Sequence, residues 1–114
     1  MEPSRVFSRE DVSMIEHLVL FKFKPEVGDN EMNEITAAIQ GLKSQIPGIV
    51  QITCGKNFSA RAQGHQFGLV ARFVDKAALE LYSNHPAHLA VVETLNFRRY
   101  QPRMESVTVV DYLI

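Results

Sequence analysis

The sequence predicts an α+β fold, an antiparallel sheet with helices packed on one face, and three observations carry that prediction. Four segments rich in β-branched and aromatic residues are bounded by Pro, Gly and polar clusters. Two amphipathic helical stretches interrupt them, each with a single apolar stripe. The resulting order, βαββαβ, pairs into one sheet with both helical segments on the same side.

Ile15 to Lys24 (IEHLVLFKFK) reads as the first strand, stopped by Pro25 and Gly28. Period two places Ile15, His17, Val19, Phe21 and Phe23 on one face and Glu16, Leu18, Leu20, Lys22 and Lys24 on the other. Both faces are apolar at their centre, so both need a cover. Asp29 can cap a helix running to about Gln45, in which Met32, Ile35, Ile39, Leu42 and Ile46 recur at helical spacing. Pro47 and Gly48 end it. Ile49 to Lys56 (IVQITCGK) is a second strand in which Val50, Ile52 and Cys54 alternate with Gln51 and Thr53, and Asn57 to Gly64 is a polar connection.

Gln66 to Val74 (QFGLVARFV) is the third strand, with Phe67, Leu69, Ala71 and Phe73 on one side. A helix follows from Asp75 and puts Ala78, Leu81, Tyr82 and His85 on one face. Pro86 breaks that helix and opens another, running to about Arg99, with Leu89, Val92 and Leu95 or Asn96 inward. After Pro102, Ser106 to Ile114 (SVTVVDYLI) forms the closing strand. This is the ferredoxin-like arrangement, and it leaves one sheet face open. The most economical cover for that face is the same face of a second copy. The expectation is therefore a homodimer whose two sheets close into a dimeric α+β barrel.

The 114 residues suffice for one domain, and 46% of them are hydrophobic, enough for a core. Twelve Lys and Arg against 13 Asp and Glu give a net charge of −1, which offers no match to a nucleic-acid backbone. No apolar run approaches the roughly 20 residues that span a bilayer, so no membrane partner is expected. One cysteine, Cys54, excludes an internal disulfide and fits a cytoplasmic setting. Met1 to Ser13 mixes charges without periodicity and reads as a flexible extension ahead of a domain spanning residues 14–114.

The segments IEHLVLFKFK, IPGI, GHQFGLVARF, LYSNHPAHLAVV and VTVVDY together resemble the stress-responsive dimeric A/B-barrel domains, over residues 14 to 112. The most specific element is His85-Pro86-Ala87-His88 behind an amphipathic helix. The resemblance extends to an enzymatic relative in that family, olivetolic acid cyclase, which folds a linear polyketide without a cofactor. It implies catalytic roles for His88 and Tyr82 and a pocket position for His17. The cyclase's third-strand histidine is replaced here by Phe67, with His65 two residues away. His85 and Phe67 join His17 as expected binding residues.

Ring closure of that kind needs a base beside a carbonyl and a donor for the enolate oxygen, tasks suited to an imidazole and a phenol. On one straight helix Tyr82 and His88 would point about 120° apart, so they meet only if Pro86 breaks the helix. His85, three residues from Tyr82, needs no break. Each residue also has a packing role open to it: His85 and His88 as anchors of the kink, Tyr82 as a core aromatic, His17 as a pocket wall. Arg98, Arg99 and Arg103 read as a solvated helix end. No metal and no cofactor are expected, because the histidine spacing is too sparse for a metal and no Gly-rich phosphate loop is present. The expected function is a homodimer with a pocket for a small, largely apolar molecule and no assigned reaction. The alternatives are a cofactor-independent polyketide cyclase or lyase, a cofactor-free oxygenase, or a purely structural stress protein.

Overall fold

Alternation of β-branched and aromatic residues yields four strands in the computed structural model, which describes residues 9–96 and 103–114. They are β1 (Ile15–Phe23), β2 (Ile49–Lys56), β3 (Phe67–Phe73) and β4 (Met104–Leu113). The helices are α1 (Arg9–Val12), α2 (Asp29–Gln40), α3 (Leu42–Gln45), α4 (Lys76–Asn84) and α5 (Pro86–Asn96). The sheet is antiparallel throughout, in the order β2-β3-β1-β4. This is the ferredoxin-like topology the order of elements implies.

The expected closure into a barrel is not found. β2 and β4 stand at opposite edges of a four-stranded open sheet, with no ladder joining them. Closure needs the edge strands to find partners, and here β3 and β1 lie between β2 and β4 and leave both edges unpaired. Among the described residues no helix is long and apolar enough to cross a membrane. Residues 1–8 of the expected extension lie outside the described residues, and Arg9–Val12 forms one turn of helix against α4. Arg98 and Arg99 also lie outside them.

Four local expectations are corrected by the structure. The helix from Asp29 is interrupted at Gly41, whose carbonyl accepts from the Ser44 and Gln45 side chains at 3.1 Å each. Gly28 takes the cap position, while Asp29 sits in the first turn, where a carboxylate suits the helix dipole, and pairs with Lys56 at 3.3 Å. In β2 the register slips between Ile49 and Gln51, so Val50 is exposed while Ile49 and Ile52 are buried. Leu81 and Leu89 face outward, and α5 turns Val91, Val92 and Leu95 toward the interior.

The core lies between the helices and the inward sheet face. Phe21, Phe23 and Phe67 contact one another with ring centroids 5.7 to 5.9 Å apart. Ile35, Ile39, Leu42 and Ile46 close over the sheet from α2, α3 and the residue after them. Gly48 makes the turn into β2 with φ of 90°, and an added Cβ would lie 2.7 Å from the Ala78 Cβ, so a side chain here would collide with α4. On the other sheet face, Val70, Leu18 and Val110 form a cross-strand row flanked by Leu20 and Tyr112. Beside them the Arg72 guanidinium grips the Glu16 carboxylate at 3.2 and 2.8 Å and holds it below the usual carboxylate range.

Candidate functional site

β1 places His17 on the inward face, opposite Ala71 of β3 and Asp111 of β4. Its Nδ1 lies 2.5 Å from Asp111 Oδ1. A carboxylate only accepts, so Nδ1 carries the proton and donates. In the neutral ring this leaves the lone pair on Nε2. His17 is 12% exposed and Asp111 41%, so the carboxylate reaches the surface behind the ring it holds.

Tyr82 arrives from α4, which begins where Asp75 accepts a capping bond from Ala78 N–H at 2.8 Å. The ring packs 4.9 Å from that of Phe73 and 5.9 Å from that of His17. At 3% exposure it is buried, and burial pushes the phenol up to about 12, so it stays protonated at neutral pH. Among the described residues no side chain or carbonyl bonds its hydroxyl.

His88 reaches Tyr82 because the chain turns at Pro86. His85 N–H closes α4 on Tyr82 O at 3.2 Å, and its Nδ1 accepts from Ala87 N–H at 3.0 Å as α5 starts. Across this break His88 Nδ1 donates to Ser83 O at 3.2 Å. The Tyr82 and His88 rings end 4.2 Å apart, which a straight helix would forbid. Burial lowers the His88 imidazole below its ordinary value; the bond to Ser83 opposes this and the nearby His17 adds to it.

His17, Tyr82 and His88 line one cavity of about 290 Å³ between the sheet and α4 and α5. Apart from Ser83 its remaining walls are apolar, from Val19, Leu69, Val91, Leu95 and Val109 among others. The β4 valines Val107 and Val109 line it and remain 48% exposed, so the cavity opens along that edge.

The other expected site residues lie elsewhere. Phe67 is fully buried in the aromatic cluster and does not line the cavity. His85 is occupied as the joint between α4 and α5. His65 sits before β3, its Nδ1 bonded to Ala62 O at 3.0 Å. Cys54 packs half-buried against Thr36 O at 3.8 Å, and burial raises its thiol. Asp111, the partner of His17, is the side chain at this place that sequence reasoning missed. The available signal was an acidic residue within the apolar run VTVVDYLI, at a parity facing the helices. Among the described residues no cluster of three His, Cys, Asp or Glu is placed to hold a metal.

Residues 15–114 match the family model described as the Stress responsive A/B Barrel Domain. The chain belongs to this family. It is 37% identical over 100 residues to a stress-response A/B barrel domain-containing protein of Arabidopsis thaliana, a match covering 85% of this chain. The chain spans only 36% of the length of that plant relative. Among solved structures it resembles a dimeric protein of unknown function with a ferredoxin-like fold from Bacteroides fragilis. That match has 30% identity and a TM-score of 0.75, covering 89% of this chain and 96% of the other. The hydroxynitrile lyase of Passiflora edulis has the same fold at 19% identity, with a TM-score of 0.75 over 90% of this chain and 94% of its own. The family's name describes a barrel, whereas the sheet of this chain is open.

Proposed function

We propose that this A/B barrel-domain chain binds a small, largely apolar molecule in the cavity between helices and sheet, and that it works in the cytoplasm as a homodimer joined through the open sheet faces. The observation that carries the binding reading is the 290 Å³ cavity with His17, Tyr82, Ser83 and His88 in a lining that is otherwise apolar. Its size sits at the lower edge of small-molecule sites, which begin near about 300 Å³. The dimer is supported by the outward row of Val70, Leu18 and Val110 with Leu20 and Tyr112, and by the dimeric relative from Bacteroides fragilis.

Native mass spectrometry tests the binding role. The expected result is a small-molecule mass retained by the unaltered protein and lost from Val109→Trp, which fills the cavity from its exposed wall. A mass retained equally by both would place the ligand elsewhere.

A second reading, a cofactor-independent cyclase or lyase, is favoured by the contact between Tyr82 and His88. In it His88 Nε2 takes a proton from carbon next to a carbonyl, Tyr82 donates a hydrogen bond to the enolate oxygen, and the imidazolium returns the proton to product. The resemblance of the HPAH element, His85 to His88, to olivetolic acid cyclase motivates this reading. His88→Ala should then lower turnover by roughly two to four powers of ten with binding little changed. Equal losses in binding and stability would instead make His88 an anchor of α5.

A further inference from the structure

Resting on the binding role, we infer that the cavity selects molecules carrying a hydroxyl group, whether alcohol, phenol or enol, which gives its proton to an imidazole nitrogen and accepts one from Tyr82. One nitrogen of each imidazole at the cavity is already taken by a protein acceptor. His17 uses Nδ1 on Asp111, and His88 uses Nδ1 on Ser83 O. Each neutral ring therefore offers Nε2 as an acceptor. Tyr82 keeps its proton, and its hydroxyl has no acceptor among the described residues. The Tyr82 ring lies against both imidazoles, and all three rings line the same space.

The Ser83 hydroxyl, which also lines the cavity, already donates to Leu79 O at 3.0 Å, so the site offers two imidazole acceptors and the Tyr82 proton as its free donor. An ether or a ketone satisfies only the donor and leaves the imidazoles unmet. A carboxylate also only accepts, and it brings negative charge toward two lone pairs with the Asp111 carboxylate behind one of them. A hydroxyl answers both senses at once. Buried polar groups discriminate in this way because an unmatched donor or acceptor loses its water without regaining a partner.

The test is isothermal titration of the full chain at pH 8 with three probes of one two-ring body: 2-naphthol, 2-methoxynaphthalene and 2-naphthoate. The first donates and accepts, the second only accepts, and the third accepts with a charge. Binding of 2-naphthol is expected to be roughly tenfold tighter than either of the others. Tyr82→Phe and His88→Phe should each narrow that gap to about threefold, with folding checked by circular dichroism. The comparison on the unaltered protein is decisive by itself if a variant fails to fold. Equal affinity for 2-naphthol and 2-methoxynaphthalene, or tighter binding of 2-naphthoate, overturns hydroxyl selection and leaves an apolar pocket standing. No binding of any probe, or binding that survives Val109→Trp, overturns the inference together with the pocket reading.

Discussion

The inward face of the sheet is filled at one end and hollow at the other, with Phe21, Ile39 and Leu42 on the boundary serving both as core and as cavity wall. Toward the ends of β1 and β3 where Phe21, Phe23 and Phe67 meet, it is filled by large aromatic rings closed over by Ile35, Ile39 and Leu42. Along β4 it carries valines that stay 48% exposed, with His17, Tyr82 and His88 around an unfilled space. Rings fill the span between helix and sheet, whereas valines are too short to reach across it. The same layer architecture thus makes a packed core at one end and a hollow at the other.

Substitutions should separate the two halves. Phe67→Ala leaves a large void among close-packed rings and should cost about 3–5 kcal/mol in chemical denaturation. A cost under about 1 kcal/mol would mean that the cluster is not a packed core. The outer face is tested by Leu18→Glu, which sets a charge in the centre of the Val70 and Val110 row. A two-fold dimer would meet two such charges, so sedimentation should show self-association weakened by roughly a hundredfold or more in Kd. Unchanged mass would remove that face from the interface.

The pH response of the hollow half is smaller and has a definite sign. The His88 imidazole is lowered by burial from the ordinary 6.5, so the unfolded chain takes up this proton at a higher pH than the folded one. Stability is then complete above about 6.5 and falls as pH drops toward the folded value. Between pH 7.5 and 5.5 the unaltered protein should lose more stability than His88→Gln. An identical loss in both would show that burial does not act on this ring. The smallest effect is expected for Val109→Ala, within about 1 kcal/mol, because half the side chain already meets water. A loss as large as that of Phe67→Ala would erase the distinction between the halves.

Much of this architecture was legible in the sequence because alternation and helical spacing are local properties. The faces of β1 and β3 and the stripe of α2 follow directly from them. What was not legible depended on backbone events or on register. The bulge that exposes Val50 adds a residue without changing the pattern of residue types. Barrel closure is a matter of which edges pair, and alternation is silent on edges. Pro86 announced the break that brings Tyr82 and His88 together, since one helix cannot turn both toward one point. Asp111 needed the register of β4 on β1 before its pairing with His17 could be read. The roles of Phe67 and His85 turned on depth and on which backbone groups lie near, neither of which residue type reveals.

The central claim is that the hollow half, rather than the open outer face, receives a small apolar molecule. Methyl-detected NMR during titration with 2-naphthol tests it most directly, because the two surfaces carry different methyl groups. The expected shifts are at Val91, Val92, Leu95 and Val109, with Leu18, Leu20, Val70 and Val110 unmoved. Shifts confined to the second set, or absent from both, would contradict the account.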